Sequence, residues 1–242
     1  MNLLGFDWGW MDEPSDTYIT DRDGVKKQIG DYHKDSITKE IFQDKLYEKY
    51  AEVKEDDIVI DIGASVGPFT YSILDKNPSK VICVEPSSIE HPTLEKNVLR
   101  DNVSIIKKAL GSVDGKMVLT EIFGSHGQPL EIDSIRFDTL VRENHIEKVD
   151  FLKTDCEGGE YDIFSIDNLI WLKQNLGVAV GEWHLSTPEL KQKFREFRDV
   201  FLRVFPNHQI QSVDNCDIKW DLWNEHFIEY YNEVIIFIDN RK

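Results

Sequence analysis

The chain has 242 residues, 40% of them hydrophobic, and its 28 Lys and Arg stand against 45 Asp and Glu, which gives a formal charge of −17. This length is enough for one domain with a substantial core, and the hydrophobic content excludes a disordered chain. The acidic charge argues against nucleic-acid binding, because phosphate recognition needs clustered Lys and Arg.

The sequence carries no signal for a membrane or for an oxidising compartment. No apolar run approaches the roughly 20 residues that cross a bilayer, so no membrane span is expected, and the N-terminus lacks the pattern of a secretory signal. The three cysteines, Cys83, Cys156 and Cys216, have neither CxxC nor Cys/His spacing, which disfavours a disulfide framework and a zinc site. We therefore expect a cytoplasmic protein.

The first 50 residues differ from the rest of the chain. Residues 1–35 show no clear period and predict an irregular arm, whose Trp8 and Trp10 need cover from the domain, a substrate or a partner chain. Residues 36–50 have apolar positions at helical spacing and predict an amphipathic helix with Ser36 as its N-cap. We interpret residues 1–50 as an N-terminal extension that contacts substrate or a second copy of the chain.

Residues 51–242 are interpreted as one domain in which short β-branched strands alternate with helices. Strands are predicted at 58–60, 81–84, 103–106, 149–152 and 178–180, and helices at 69–74, 92–100, 160–164, 168–175 and from 188 to at least 201. This alternation predicts an α/β fold with a mostly parallel sheet covered on both sides.

Two regions depart from the alternation. Residues 111–137 contain extended segments at 117–120 and 132–137, and the loop at 124–127 between them is predicted to be a hairpin tip or a loop that closes over substrate. The last extended segments, 209–213 and 233–238, are predicted to pair antiparallel, because the loop between them leaves no room for a crossover helix.

A glycine-rich turn follows the first predicted core strand. Asp61, Gly63 and Gly67 stand between this strand and the next helix, where glycines allow a tight turn and the helix N-terminus offers free N–H groups to a ligand. Such turns also occur in α/β folds without a cofactor. Glu85, 24 residues after Asp61, ends the second core strand, where a carboxylate chelates the two ribose hydroxyls of an adenosine cofactor.

The charge of this turn indicates which cofactor it suits. Asp61 would repel a pyrophosphate, and the turn lacks the closely spaced Gly-x-Gly of nicotinamide-dependent oxidoreductases, so that class is disfavoured. S-adenosylmethionine carries a sulfonium, an ammonium and one carboxylate, so it suits an acidic pocket better.

More acidic residues follow the fourth and fifth core strands. Residues 153–160 read Lys-Thr-Asp-Cys-Glu-Gly-Gly-Glu, and 182–184 read Glu-Trp-His. Because ligands gather at the carboxyl ends of parallel strands, these residues are expected at the same crevice as Asp61 and Glu85.

These segments together resemble the FkbM family of S-adenosylmethionine-dependent methyltransferases. The matching segments are residues 59–67 (VIDIGASVG), 83–86 (CVEP), 94–97 (LEKN), 137–140 (FDTL), 150–160 (DFLKTDCEGGE) and 181–184 (GEWH). The resemblance covers about residues 50–185, and the segment at 153–160 is its most specific part. It implies a class I methyltransferase fold, a Rossmann-like three-layer sandwich with a seven-stranded sheet whose last strand is antiparallel.

The resemblance also implies an activity and a set of binding residues. It implies O-methylation of a hydroxyl on a sugar, a glycan or another small molecule. Gly63 and Gly67 would form the floor under the methionine moiety of the cofactor, and Asp61 would anchor its polar atoms. The predicted cofactor-binding residues are Asp61, Gly63, Ala64, Ser65, Gly67, Glu85, Pro86 and Asp155.

The candidate catalytic residues are His184, Asp155 and Glu182. His184 is the natural base for removing a hydroxyl proton, because its ordinary pKa lies near neutrality, and Asp155 is the rival base. His184 has the alternative role of a hydrogen bond at the strand end. Asp155, Glu157, Glu182 and His184 would also suit a divalent cation, although Glu157 has the alternative role of capping the following helix.

Two alternatives to O-methylation remain at this point. The chain would be a binding domain without catalysis, which keeps the cofactor pocket for regulation or assembly. Alternatively, it would transfer the methyl group to a nitrogen.

Overall fold

The structure is a computed structural model that describes residues 5–20, 24–119, 129–212, 216–218 and 224–241. Its strands, in chain order, are β1 (Tyr18–Thr20), β2 (Lys26–Gln28), β3 (Ile58–Ile62), β4 (Lys80–Val84), β5 (Val103–Ile106), β6 (Ala109–Leu110), β7 (Gly115–Leu119), β8 (Leu130–Ile135), β9 (Val149–Thr154), β10 (Leu176–His184), β11 (His208–Gln211) and β12 (Glu233–Asp239).

The described residues also form eight α-helices. They are α1 (Ile29–Ile37), α2 (Pro68–Ile73), α3 (His91–Asn97), α4 (Phe137–Glu143), α5 (Glu160–Ile163), α6 (Leu169–Asn175), α7 (Pro188–Val204) and α8 (Glu225–Ile228). Single turns of 3-10 helix occur at Gly9–Asp12, Leu46–Glu48 and Leu74–Lys76, and a π-helix occurs at Thr38–Gln43. No helix among these described elements is both long and apolar enough to span a membrane.

The central sheet has seven strands in the order β11-β12-β10-β9-β3-β4-β5. The run from β10 to β5 is parallel, whereas β12 is antiparallel to both β10 and β11. This order confirms the predicted class I methyltransferase fold, and the pairing of β11 with β12 confirms the predicted antiparallel end of the chain.

Alternate residues of the buried strands supply the two faces of the core. Ile60 and Ile82 belong to one apolar cluster, and Val59 and Val81 belong to the other. All four are fully buried. Since side chains alternate along a strand, a run of β-branched residues such as Ile58–Ile62 fits a strand with helices on both faces.

The N-terminal region corrects the sequence prediction. The expected helix over 36–50 is not one helix: α1 already begins at Ile29, continues as the π-helix, and stops where Lys45 adopts a left-handed backbone with φ 49°. Ser36 is therefore not an N-cap, because it lies inside α1 and its hydroxyl donates to Glu40. The arm expected to be irregular contains the hairpin of β1 and β2.

The N-terminal region packs against the glycine-rich turn. Phe6, Met11 and Phe42 form a buried cluster with Val66, and Trp8 and Trp10 pack against it. Asn97 of α3 joins the two segments, because its amide nitrogen donates to the carbonyls of Val66 at 2.8 Å and of residue 7 at 2.7 Å. The two tryptophans are thus covered by the domain.

The region between β5 and α4 forms a separate small sheet in the order β6-β8-β7. It contains the two extended segments expected there, but the second ends at Ile135, and the helix α4 that begins at Phe137 was missed. Its buried apolar residues, Phe137, Leu140 and Val141, have the i, i+3, i+4 spacing of a helix. The loop predicted at 124–127 lies outside the described residues.

Candidate active site

A cavity of about 420 Å³ lies at the carboxyl ends of β3, β4 and β9. Its size is within the range of small-molecule sites, which is roughly 300–1,000 Å³. Residues from the turn after β3 line it, as do Glu85 and Pro86 after β4, Asp155 and Glu157 after β9, and Trp10 and Glu40 from the N-terminal region. The cavity therefore lies where parallel strands end, as expected for an open α/β sheet.

Gly63 brings two loops of the cavity into direct contact. Its φ is 73°, and a Cβ atom there would lie 1.7 Å from the carbonyl oxygen of Asp155. The backbone N–H of Asp155 donates to Ile62 at 3.0 Å. Only glycine therefore allows the turn after β3 to approach the end of β9 this closely.

Gly67 has a different role from the one expected. Its φ is 87°, but a Cβ atom there would meet Leu94 at 2.9 Å and Val98 at 2.7 Å. Pro68 then starts α2, a favoured position for proline. Gly67 thus lets α2 begin against α3 and is not among the residues that line the cavity. Of the two glycines, only Gly63 lies where it can form a floor under a ligand.

Glu85 presents its carboxylate to the cavity from the end of β4. Its Oε2 accepts the backbone N–H of Ser65 at 2.8 Å, and its Oε1 accepts that of Ser87 at 2.7 Å. A carboxylate oxygen has two lone pairs, so each keeps capacity for a further donor. Two neighbouring hydroxyls of a ribose are donors of this kind.

Glu90, which the sequence analysis missed, forms a buried pair with Glu85. The hydroxyl of Ser65 donates to Glu90 Oε1 at 2.7 Å, so Ser65 bonds to both acids. Burial, followed by the charge of Glu90, raises the pKa of Glu85 to about 8. Burial also raises the pKa of Glu90, against the hydrogen bond from Ser65. At neutral pH this pair therefore holds a proton.

Asp61 is enclosed beneath the turn and does not line the cavity. It is fully buried, accepts the Thr70 hydroxyl at 2.8 Å and lies 3.3 Å from Lys153 Nζ. Burial raises the pKa of Asp61, and Lys153 opposes this increase. Lys153 also donates to the Gly63 carbonyl at 2.8 Å. In this position Asp61 holds Lys153 under the turn, and its contact with the cofactor stays a prediction.

Asp155 is the candidate catalytic residue that faces the cavity. Its side chain is 35% exposed, and Tyr47 Oη lies 3.5 Å from Asp155 Oδ2 and 3.2 Å from Glu182 Oε1. Burial, together with the charges of Glu182 and Asp155, raises the pKa of Tyr47 well above its ordinary value. The hydroxyl of Tyr47 therefore stays protonated and donates to these carboxylates.

His184 is buried and is not among the cavity residues. Its Nδ1 lies 3.0 Å from Glu160 Oε1, and its Nε2 lies 3.4 Å from Glu157 Oε2. Burial alone would lower the pKa of His184, but the hydrogen bond and charge of Glu160, with the charges of Glu157 and Asp155, raise it to about 10. The neighbouring carboxylates thus favour the protonated form of His184, which is a poorer proton acceptor than a neutral imidazole.

The four predicted metal ligands divide between two groups. Asp155, Glu157 and His184 place one ligand atom each within 4.8 Å of the others, and so do Glu182, His184 and Glu233. Either group would suit a hard divalent cation through its carboxylates. His184 would have to lose its proton to join, so a divalent cation stays a prediction.

The cavity fits S-adenosylmethionine by its shape and its donors and acceptors. Val84, Pro86, Ala109 and Leu110 supply an apolar wall of the kind that an adenine needs. Glu85 offers acceptors for ribose hydroxyls, and the acidic lining suits a cationic ligand. Of the predicted cofactor residues, those that line the cavity are Gly63, Ala64, Ser65, Glu85, Pro86 and Asp155.

The sequence is similar to those of known methyltransferases. The family model of the methyltransferase FkbM domain matches residues 61–209. Methyltransferase 1 of Beauveria bassiana is 26% identical over 170 residues, which cover 56% of this chain and 68% of that protein. Methyltransferase sdnD of Sordaria araneosa is 26% identical over 198 residues, which cover 62% of this chain and 75% of that protein.

A solved structure shows a weaker likeness. Fibrillarin of Aeropyrum pernix, determined with bound S-adenosyl-L-methionine, aligns with a TM-score of 0.45 and 16% identity over 80% of this chain and 71% of fibrillarin. The family match carries the assignment, since it covers more than half of the chain and contains the turn after β3, Glu85 and Asp155. The chain belongs to the FkbM family of methyltransferases.

Proposed function

We propose that this methyltransferase uses S-adenosylmethionine to methylate a hydroxyl group of a sugar, a glycan or another small molecule. The observation that carries the proposal is the position of Asp155. Its carboxylate is partly exposed in the cavity, next to the turn that supports the cofactor side. A hydroxyl acceptor needs a base at this place, because the oxygen gives up its proton as it is methylated.

Residues around Glu85 would hold the cofactor. Glu85 accepts the ribose hydroxyls, the apolar wall at Pro86 and Leu110 contacts the adenine, and Gly63 leaves room beside the backbone. When bound, S-adenosylmethionine supplies an electrophilic methyl group on its sulfonium. The task of the protein is then to align the acceptor oxygen with that carbon and to exclude competing water.

Asp155 suits the role of proton acceptor better than His184. As the acceptor oxygen bonded to the methyl carbon and the bond from that carbon to sulfur broke, with S-adenosylhomocysteine as the leaving group, the hydroxyl proton would pass to a carboxylate oxygen of Asp155. Tyr47 has one hydroxyl proton and lies nearer to Glu182 Oε1, at 3.2 Å, than to Asp155 Oδ2, at 3.5 Å, so Asp155 keeps the capacity to accept the proton. His184 already carries a proton and would instead offset the charge of Glu157 and Glu160.

The experiment is an acceptor screen with methyl-labelled S-adenosylmethionine over sugars, glycolipids and small phenols. The product of a positive reaction is examined by NMR to locate the methyl group. A methyl ether formed by the wild type supports the proposal. A methylated nitrogen, or no transfer to any hydroxyl compound by protein that binds S-adenosylhomocysteine, would contradict it.

A further inference from the structure

The cavity is more acidic than its cofactor requires. In the described part of the chain, six carboxylates line it and two lysines accompany them: Glu40, Glu85, Glu90, Asp155, Glu157 and Asp162, with Lys153 and Lys193. A cavity that collects like charges has a cost in the free protein, since each charge loses water and repels the others. A bound cation would relieve that cost.

Some of these charges are already compensated. Lys193 lies 3.9 Å from Asp162, and Lys153 lies 3.3 Å from Asp61. The single charge of His184 is shared, since its ring nitrogens lie 3.0 Å from Glu160, 3.4 Å from Glu157 and 4.0 Å from Asp155. Glu85 and Glu90 lie together on the side assigned to the ribose. On the other side, Asp155 has a share of the His184 charge, and Glu40 has no ion pair among the described residues.

Glu40 comes from the N-terminal region and is half-buried in the π-helix. Its hydrogen-bond partner is the Ser36 hydroxyl at 2.9 Å. Among the described residues, no Lys, Arg or His nitrogen lies within 4.0 Å of it. Burial, followed by the charges of Asp155 and Glu233, raises the pKa of Glu40 against the bond from Ser36 and the charge of Lys39. Glu40 and Asp155 therefore repel each other at the cavity.

The charge of the cofactor does not balance this pair. S-adenosylmethionine has two cationic groups and one carboxylate, so it brings one net positive charge against two carboxylates. Because His184 already serves three carboxylates, negative charge is left for the acceptor to meet. The aromatic side chain of Trp10 lines the same cavity, and aromatic faces stabilise cations. His33, also at the cavity, supplies no charge at neutral pH, because burial lowers its pKa.

We infer that the acceptor is a hydroxyl compound that also carries a protonated amine, and that Glu40 is the residue that binds this ammonium group. This inference rests on the proposed function and narrows its substrate class. Glu40 acts in acceptor specificity, whereas Glu85 holds the cofactor and Asp155 takes the proton. Neutral or anionic hydroxyl compounds lack the charge that the acceptor side requires.

The test measures binding to protein saturated with sinefungin, by calorimetry or ligand-observed NMR. Sinefungin has a protonated amine in place of the sulfonium and so keeps the net charge of S-adenosylmethionine. Two matched sets serve as probes: glucosamine, glucose and glucuronate; and tyramine, para-ethylphenol and para-hydroxyphenylpropionate. In at least one set, the amine should bind about tenfold more tightly than its neutral partner, which is the range of a partly buried ion pair.

Two variants separate recognition by Glu40 from the general acidity of the protein. Glu40→Gln should abolish the preference for the amine while it keeps the melting temperature and the affinity for S-adenosylhomocysteine. Glu55→Gln, which removes an exposed charge outside the cavity, should keep the preference.

The outcomes distinguish this inference from the proposed function. Equal or tighter binding of the neutral or anionic probes, no binding of either amine at about 10 mM, or a preference that survives in Glu40→Gln would each overturn the cationic acceptor. If the wild type does not bind S-adenosylhomocysteine at all, the proposed function fails and this inference fails with it.

Discussion

The two sides of the cavity are stabilised in opposite ways. On the cofactor side, the turn at Gly63 and the carboxylate of Glu85 are held by short backbone hydrogen bonds from neighbouring loops. On the acceptor side, Asp155 and Glu40 come from distant parts of the chain and repel each other. The hydrogen bonds thus position the proposed cofactor side in the free protein, whereas a cationic ligand would relieve the repulsion on the proposed acceptor side.

The largest effect is expected from Gly63→Ala, which disrupts the turn on the cofactor side. The new Cβ would lie 1.7 Å from a backbone oxygen, which no rotamer can relieve. We expect the free energy of unfolding to fall by about 3 kcal/mol or more. Cofactor binding should be lost as well. Urea denaturation measures the loss of stability. Gly24→Ala is the matched control, since Gly24 has φ 79° but no atom within 4 Å of the added Cβ. Equal losses in the two variants would contradict the close contact.

Asp155→Asn removes the proposed base from the acceptor side and keeps the shape of the side chain. Without a base, the rate constant kcat should fall by about a hundredfold or more, which is the usual contribution of a positioned base. Binding of S-adenosylhomocysteine should persist. Steady-state kinetics with an accepted substrate measure this, and Asp101→Asn, in an exposed turn, provides the control. A kcat that stays within a few-fold of the wild type would rule out Asp155 as the base.

His184→Gln tests the charge balance on the acceptor side, because His184 offsets the acidic charge behind it. The variant leaves the buried Glu160 without its cation, so stability should fall by about 3 kcal/mol at neutral pH. The pKa of His184 is raised to about 10 in the folded protein. Its stabilisation is therefore complete below about pH 6.5 and is lost as pH rises through about 10.

Urea denaturation from about pH 6 to 10 measures this loss. The stability of the wild type should decline across the range, and that of His184→Gln should decline less. The exposed His145→Gln serves as control. Parallel pH profiles for the wild type and His184→Gln would show that His184 is not held as a cation.

The smallest effect concerns the pair of Glu85 and Glu90. The charge of Glu90 helps to raise the pKa of Glu85, so Glu90→Gln should lower that pKa. Ionised Glu85 is the better acceptor for two hydroxyls, so cofactor affinity should rise with pH by roughly tenfold in the wild type. In Glu90→Gln the rise should occur at lower pH. Calorimetry with S-adenosylhomocysteine measures it, with Glu95→Gln as control. Unshifted profiles would contradict the coupling of the two acids.

Features built from neighbouring residues were the ones that the sequence predicted well. The strand, turn and helix around Gly63 lie within 16 residues, Ile58 to Ile73, so their hydrophobic pattern and glycine positions are sufficient. The same holds for Glu85 at the end of β4. The mostly parallel sheet followed from the alternation of strands and helices.

Features that depend on distant contacts could not be predicted. Tyr47 meets Asp155 across 108 residues, and no local pattern indicates that contact. The apolar residues of 36–50 have continuous helical spacing. The sequence therefore does not indicate the π-helix that places Glu40 at the cavity. The charge state of His184 depends on Glu157 and Glu160, and only the folded arrangement brings both to its ring.

The most direct test of the account is the affinity of S-adenosylhomocysteine for the wild type and for Glu85→Gln, measured by calorimetry at about pH 8. The substitution keeps the size of the side chain and removes the paired acceptors. We predict saturable binding to the wild type with one site per chain, and binding weaker by about tenfold or more in a folded Glu85→Gln variant. Equal affinity in the two proteins would contradict the placement of the cofactor at the end of β4.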